Sequence, residues 1–333
     1  MVSITDIAKL TGVSISTVSR VINGSCQVNA EKRTRILKLI EETGYVPNKA
    51  AQNMVLRRTF SVGLIIPDTF NIFQRQLFSI VEHQLESLGY HSMFFFVQQD
   101  AASEKDCLSR VKSEKLDGLL LFQEIKDSSF FDYITSANIP AVFSICNDKN
   151  LPAVTTDDIE ATREGMRHLI GLGHRRIAML CGNGFFSFGE KRIAGYRAAL
   201  EEHGLPFDSK LMIRAPLYNF ESGMYCMREL LLRSRNFSAV FASTDELAIG
   251  ALRALQDEGL RVPDDISVLG FDDIDLSSYV CPRLTTISQP LHDLGEQATR
   301  LLHRLIDGKK NVARNIILPH RLIIRESTHA APF

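Results

Sequence analysis

The chain has 333 residues, 45% of them apolar, a length and composition that allow two or three folding units with sizeable cores. Its net charge of −1 is unevenly divided. Residues 1–58 carry nine Lys or Arg against four Asp or Glu, which gives that segment a charge of +5 and the remainder a charge of −6. Only the first segment should therefore attract a polyanion. Six scattered cysteines, which also lack metal-ligand spacing, argue against a disulfide framework. The sequence shows no signal segment and no apolar run of membrane-spanning length, which predicts a cytoplasmic protein with no membrane partner.

Two short helices joined by a glycine-containing turn are predicted at the start of the chain, which is the helix-turn-helix plan. Apolar residues recur at helical spacing in both, as Ile4, Ile7 and Ala8 in the first and Val18, Val21 and Ile22 in the second. Thr5 is the expected N-cap of the first helix, Gly12 its end, and Ser14 the N-cap of the second. A third helix should begin near Asn29. The apolar side chains that it is expected to bury are Ile36, Leu37 and Ile40.

The outward face of the second helix has the composition of a surface that approaches DNA. Its side chains are short or cationic, namely Ile15, Ser16, Thr17, Ser19 and Arg20. No Asp or Glu occurs from Gly12 to Ala30. Small side chains allow close approach to phosphates, and Arg20 can bond both major-groove acceptors of a guanine. A small helical bundle that binds protein has the same spacing, so spacing alone leaves both interpretations open.

The residues themselves resemble the head of the lactose/galactose repressor (LacI–GalR) family of bacterial transcription regulators. The resemblance rests on Val13-Ser14-x-x-Thr17-Val18-Ser19-Arg20-Val21-Ile22-Asn23, with Gly44-Tyr45-Val46-Pro47-Asn48 beyond it. It implies that Ile15, Ser16 and Arg20 read bases. It also implies that phosphates are held by Ser14, Thr17, Ser19 and Asn23.

Residues 47–58 are predicted to be a hinge between this head, residues 1–46, and a body that comprises residues 59–333. Lys49–Leu56 is helix-compatible but spans only about two turns, too few for stability alone in water. In the family such a hinge helix lies in the minor groove beside its copy from the partner subunit, and an apolar side chain wedges between base pairs. The matching residue is Met54, where the family usually has leucine, and Leu56 is the alternative wedge.

From Ser61 onward, strands alternate with helices. The predicted strands are Val62–Ile66, His91–Val97, Leu116–Phe122, Ala141–Ile145, Ala153–Thr156, Ile177–Cys181, Ala239–Ala242 and Ile266–Phe271. The predicted helices include Phe73–Leu88, Glu160–Leu172, Lys191–His203, Glu221–Leu232 and Glu246–Glu258. This alternation implies doubly wound parallel sheets, and about 270 residues are better divided between two sheets that flank a cleft.

Phrases in the body match the same family. Among them are Val62-Gly63-Leu64-Ile65-Ile66-Pro67-Asp68, Arg192-x-Ala194-Gly195-Tyr196, Thr244-Asp245-Glu246-Leu247-Ala248-Ile249-Gly250 and Gly270-Phe271-Asp272-Asp273. The resemblance implies a body like a periplasmic sugar-binding protein, with three crossovers between its subdomains. The expected fold is therefore a small all-α helix-turn-helix head plus an α/β periplasmic-binding-protein-like body, with two doubly wound parallel-sheet subdomains around a cleft.

Ligands of doubly wound sheets bind beyond the carboxyl ends of strands, and here this rule selects the loops Asp68–Gln74, Gly182–Arg192, Ser243–Glu246 and Asp272–Asp275. Asp272 and Arg192 are the candidate partners for sugar hydroxyls, with a structural ion pair or a helix cap as the alternative. By the resemblance Phe73, Tyr218 and Thr244 also line the pocket, although core packing explains the two aromatic residues equally well. The loop with Phe185, Phe186 and Phe188 is less polar than in sugar-responsive members, which indicates a more apolar effector or a partly closed pocket.

The sequence thus predicts a transcriptional repressor that binds a pseudo-palindromic operator in double-stranded DNA as a homodimer, under the control of a small-molecule effector, expected to be a carbohydrate. No cofactor, metal or enzymatic activity is expected, because the sequence contains no catalytic nucleophile motif, no Walker lysine loop and no HExxH motif. The phrase Gly182-Asn183-Gly184 begins like a dinucleotide fingerprint but lacks its third glycine. A sugar-transport component and an enzyme on an α/β scaffold are the two rival interpretations. Induction, corepression and activation at some promoters all stay open.

Overall fold

A computed structural model of the protein describes residues 2–22, 28–45, 58–98, 100–146, 151–182, 187–309 and 313–331. The chain divides into two compact units, Met1–Thr59 and Phe60–Phe333, and each is described by itself. Asn23, Met54 and nearly all of the predicted hinge lie outside the described residues, as do Phe185 and Phe186.

The first unit contains the three predicted helices, α1 (Ile4–Thr11), α2 (Ile15–Ile22) and α3 (Ala30–Thr43). Gly12 ends α1 in the left-handed conformation at φ 65°, which glycine adopts without steric cost. Asn29 caps α3 by accepting from the Glu31 backbone N–H at 2.9 Å. The core that joins the helices is small and apolar, made of Ile7, Ala8, Val18, Val21 and Ile36.

Two details of this head were predicted wrongly. Ser3, not Thr5, caps α1: its hydroxyl accepts from the Asp6 backbone N–H at 3.3 Å, and the Asp6 carboxylate accepts from the Ser3 backbone N–H at 3.0 Å. This reciprocal capping box requires an acid three residues after the cap, which only Ser3 has. Leu37 is 45% exposed, because one helical residue after Ile36 points about 100° away from the core side.

The second unit begins with β1 (Ser61–Pro67), α4 (Ile72–Ser87), β2 (His91–Val97), α5 (Ala101–Ser113), β3 (Gly118–Leu121), α6 (Ser128–Ser136), β4 (Ala141–Ser144) and β5 (Ala153–Thr156). It continues with α7 (Asp158–Gly171), β6 (Ile177–Gly182), α8 (Ser187–Glu202), β7 (Met212–Ala215), α9 (Phe220–Arg233), β8 (Ala239–Ala242), α10 (Asp245–Asp257), β9 (Ser267–Asp272) and β10 (Thr285–Ser288). It ends with α11 (Leu291–Ile306), β11 (Asn315–Leu318) and β12 (Arg321–Ile323). Single 3₁₀ turns occur at Ser209–Leu211 and Asp275–Ser278.

These strands form two sheets. The first has the order β11-β5-β4-β3-β1-β2 and is parallel throughout; the second has the order β12-β10-β9-β8-β6-β7 and is parallel except for β12. The chain crosses between the sheets after β5, after β10 and after β11, which confirms the three expected crossovers.

Each sheet is covered on both faces by helices, and this produces four apolar cores. In the first sheet, α4 and α11 cover one face and α5 and α6 the other. In the second, α9 and α10 cover one face and α7 and α8 the other. Burial on both faces explains why the central strands are continuous apolar runs.

All eight predicted strands are present, whereas β7, β10, β11 and β12 were not predicted. Three of these four lie at sheet edges, where one side is unpaired and the apolar signal is weaker. Helix α8 begins at Ser187, four residues before the predicted Lys191. No helix in the described ranges is long and apolar enough to span a membrane.

Candidate functional site

In the head, Ser14 organises the start of α2. Its hydroxyl oxygen accepts from the Thr17 backbone N–H at 3.3 Å and lies 2.8 Å from the hydroxyl of Ser16 and 2.9 Å from that of Thr17. Burial of Val18 and Val21 against α1 and α3 fixes the rotation of α2 about its axis. The opposite side of α2 is therefore held toward solvent.

The polar and cationic residues predicted to face DNA lie on this outer side. Ser14, Ser16 and Arg20 are exposed, and Ile15 is 47% exposed. Thr17 and Ser19 are half-buried at the edges of the same surface. This arrangement presents hydroxyl groups and one guanidinium on the exposed side of a helix, the element and the chemistry that a major groove accepts.

In the body, Arg192 of α8 is the centre of a buried polar cluster. Only 3% of this residue is exposed. Its Nε donates to Asp158 Oδ1 at 2.9 Å, and its Nη1 donates to the Ser243 carbonyl oxygen and to Asp272 Oδ1, the latter at 3.5 Å. The cluster joins the starts of α7 and α8 to the ends of β8 and β9, so it lies at the carboxyl edge of the second sheet.

Aromatic rings enclose the same guanidinium. Arg192 Cζ lies 3.5 Å from the centroid of the Phe271 ring and 4.9 Å from that of Phe188, both within cation–π range. The Phe188 ring in turn packs 5.1 Å from the ring of Tyr218. Glycine is required at Gly182, because a Cβ there would collide with the Tyr218 hydroxyl.

Asp272 ends β9 in an unusual backbone conformation, with φ 119°, and Asp273 follows at φ 59°. Non-glycine residues adopt such angles at a cost of about 1–3 kcal/mol each and are enriched at functional sites. Side-chain bonds hold both residues: Gln289 Nε2 donates to Asp272 at 2.8 Å, and Arg325 Nη2 donates to Asp273 at 2.6 Å.

Burial perturbs the carboxyl groups of this region. Desolvation raises the pKa of Asp272 well above its usual value and also raises the pKa of Asp158, while the positive charge of Arg192 opposes both shifts. Desolvation raises the pKa of the neighbouring Asp245 to about 6, against three hydrogen bonds that favour its charged form. Their donors are the hydroxyls of Thr286 and Ser277 and the backbone N–H of Ile274.

Two spaces of very different size adjoin the cluster. Beside Arg192 and Asp272, in contact with Phe73 and Phe188, a cavity of about 20 Å³ remains. An outer cleft of about 730 Å³ lies at the ends of β1, β2 and β7 and is lined in part by Asp68, Asn71, Gln74, Gln98, Asp100 and Asn219. Only the outer cleft has the volume of a small-molecule site.

The structure thus brings Phe73, Arg192 and Asp272 together around the inner cavity and places Tyr218 on the wall of the outer cleft. Thr244 follows Ser243 but lines neither space: 1% exposed, it caps α10 by accepting from the Leu247 backbone N–H at 3.3 Å.

Sequence reasoning missed two members of the cluster. Asp158 follows the end of β5, so the strand-end rule could have selected it. Asp157 caps α7, whereas Asp158 pairs with Arg192. Gln289 follows β10, a strand that was not predicted, and therefore gave no signal.

Comparison with known proteins accounts for both units. A family model described as "Bacterial regulatory proteins, lacI family" matches residues 3–48, and one described as "Periplasmic binding protein-like domain" matches residues 166–328. The HTH-type transcriptional regulator DegA of Bacillus subtilis is 36% identical over 332 residues, which cover 98% of both chains. The chain belongs to the LacI family of bacterial regulatory proteins.

Solved structures of this family match the fold over nearly the whole chain. The lac repressor dimer bound to operator and the anti-inducer ONPF is similar with a TM-score of 0.89, at 28% identity, over 99% of each chain. The complex of the regulator CelR with cellobiose gives a TM-score of 0.74 at 31% identity, over 98% of this chain and 100% of CelR. Like DegA, the chain is a DNA-binding transcriptional regulator with a helix-turn-helix head and a periplasmic-binding-protein-like body.

Proposed function

We propose that this LacI-family regulator is a repressor that binds a pseudo-palindromic operator as a homodimer. A small molecule that binds in the body either lowers or raises its affinity for the operator. The observation that carries the DNA-binding part is the outer side of α2. It exposes Ser16 and Arg20 while Val18 and Val21 anchor the helix from behind. In this proposal Ile15, Ser16 and Arg20 contact base edges.

Phosphates are assigned to the hydroxyl-bearing residues at the margins of the same surface, Ser14, Thr17 and Ser19, together with Asn23. Met54 is assigned the minor-groove wedge from its place in the sequence. The net charge of +5 on residues 1–58 supports this assignment, because phosphate contacts supply most of the non-specific affinity for DNA.

A homodimer is proposed because one α2 spans only a half-site, and a two-fold axis doubles the contact. The edge strand β2 supports it: Phe94 and Phe96 are exposed on a strand that, among the described strands, pairs with β1 alone. Exposed apolar edge strands favour association with another chain.

The mass of the protein in solution, measured by light scattering, tests the role of this edge. Phe96→Ser should halve the mass. Ile317→Ser, which changes an exposed residue on β11 at the opposite edge of the same sheet, is the control and should leave the mass unchanged.

The outer cleft is proposed as the effector site, and a carbohydrate as its occupant. Its carboxylates and amides suit sugar hydroxyls, and Phe70 offers an apolar ring face. The cellobiose complex of CelR supports a carbohydrate. Because the cleft is lined by strand ends of both sheets, a ligand that touches both walls binds open and closed forms differently and can shift their balance.

Selection of bound fragments from random double-stranded DNA by the full-length protein tests the proposal. Enrichment of a two-fold symmetric site is expected. Absence of any symmetric site, with and without a panel of sugars, would overturn the proposal. The enriched site then serves to measure how each sugar changes DNA affinity.

A further inference from the structure

The Phe188 ring lies against the buried cluster and lines two small cavities. One, of about 20 Å³, adjoins Arg192, and the other, of about 10 Å³, adjoins Gln123; together they have room for about one water molecule. The guanidinium of Arg192 lies 4.9 Å from the centroid of the Phe188 ring, and the ring of Tyr218 lies 5.1 Å from it. The space that Phe188 fills, called the ring subsite below, is therefore bounded by two groups that stack on planar rings.

Buried polar groups without partners surround this ring. Gln123 follows β3, is 2% exposed, and has no hydrogen-bond partner for either of its amide atoms among the described residues. It lines the smaller cavity together with Phe188 and Ser187, and the Ser187 hydroxyl is also buried and unpartnered within that part of the chain. An unpaired buried amide destabilises the fold, because it loses its hydrogen bonds to water without replacement, and such groups are rare in native proteins.

A third group of the same kind connects the ring subsite to the outer cleft. The Nε2 of Gln74, a residue 4% exposed, lacks a partner in the described structure, and Gln74 lines both the outer cleft and the inner cavity. Tyr218 lines the outer cleft and packs against Phe188. The unpartnered Gln74 amide thus borders the outer cleft, and the Tyr218 and Phe188 rings connect that cleft to the cavity lined by Gln123.

We infer that the ring subsite binds a planar ring of the effector, which displaces Phe188 from between Arg192 and Tyr218. Polar substituents of that ring bond to the Gln123 amide and the Ser187 hydroxyl, while the hydroxylated part of the ligand stays in the outer cleft. The effector class is then a carbohydrate derivative that carries an aromatic or heteroaromatic ring, which narrows the carbohydrate proposed for the outer cleft. This inference rests on the proposed function for the existence of an effector.

Phenol, as a probe with one planar ring and one hydroxyl, tests the ring subsite in the full-length protein. Phe188→Ala should bind phenol saturably and gain about 2–4 °C in Tm, whereas the wild type should not respond at the same concentration. Adding Gln123→Leu to Phe188→Ala should weaken phenol binding about tenfold and leave toluene binding unchanged. Phe237→Ala, which opens a cavity in an apolar core of the second sheet, is the control and should prefer toluene.

Failure of Phe188→Ala to bind phenol, or binding that Gln123→Leu leaves unchanged, would overturn the ring subsite. Should Phe188→Ala fail to fold, Phe188→Leu keeps an apolar side chain in place and should show the same dependence on Gln123 with weaker binding. Selection of an operator by the wild type is independent of these results. Loss of the phenol response with an intact operator would refute only the ring subsite, and absence of any operator would refute the proposed function.

Discussion

Replacement of Arg192 by methionine removes the guanidinium that pairs with both Asp158 and Asp272, while keeping a long apolar side chain. All three residues are buried, so both carboxylates lose the charge that compensates their desolvation. Breaking a buried ion pair by deleting one partner costs about 3–5 kcal/mol. Urea-induced unfolding followed by circular dichroism at pH 7 measures this loss. The control is Arg228→Met, which removes a bond of 2.9 Å to Asp257 from a half-exposed arginine and should cost about 0–1 kcal/mol.

The pH dependence of the Arg192→Met defect gives a sharper test. Burial already raises the pKa of Asp158 and of Asp272, and loss of the arginine raises both further. A carboxyl whose pKa is higher in the folded state destabilises the fold above that pKa, and the penalty disappears as pH falls toward the unfolded-state value near 4. The defect should therefore be larger at pH 8 than at pH 5. A defect that does not change with pH, or one equal to that of Arg228→Met, would refute the reasoning.

Three further substitutions give separate tests. Asp245 has a pKa of about 6 in the fold against 3.8. This group alone should therefore lower wild-type stability by about 2 kcal/mol as pH rises from 4 to 6, and urea titrations of Asp245→Asn should lack that component. Gly12→Ala should destabilise the head by about 1–2 kcal/mol in thermal melts, because φ is 65° there, whereas Gly171→Ala in α7 meets open space and should not destabilise. Met54→Ala should weaken operator binding far more than non-specific binding in titrations of both DNAs, and equal losses would refute the wedge.

The α/β body could be predicted from the sequence because its central strands are buried on both faces and read as unbroken apolar runs. The edge strand Met212–Ala215 lacks that signal, since it contains Arg214 and is paired on one side only. In the head, the spacing of apolar residues located all three helices, whereas the exact cap depended on a reciprocal bond between Ser3 and Asp6 that spacing does not show.

The site was predicted in part. The strand-end rule correctly brought Arg192 and Asp272 to one place, but it could not show that they bond to each other, because that depends on side-chain direction in the packed structure. The sequence predicts a loop over Gly182–Arg192, so the position of Phe188 in the first turn of α8, against Arg192, could not be anticipated. The assignments of Asn23 and Met54 are predictions that rest on the sequence alone.

The central claim is that α2 reads base sequence, and binding titrations of two head variants test it most directly. Arg20→Ala removes a cation from the exposed side of α2, and Lys38→Ala removes one from α3, so both lower the head charge equally. On the operator obtained by selection, Arg20→Ala should lose about 1–3 kcal/mol per half-site, and its preference over unrelated DNA should fall accordingly. Lys38→Ala should weaken binding to both DNAs alike. Equal behaviour of the two variants on the operator and on unrelated DNA would contradict the claim.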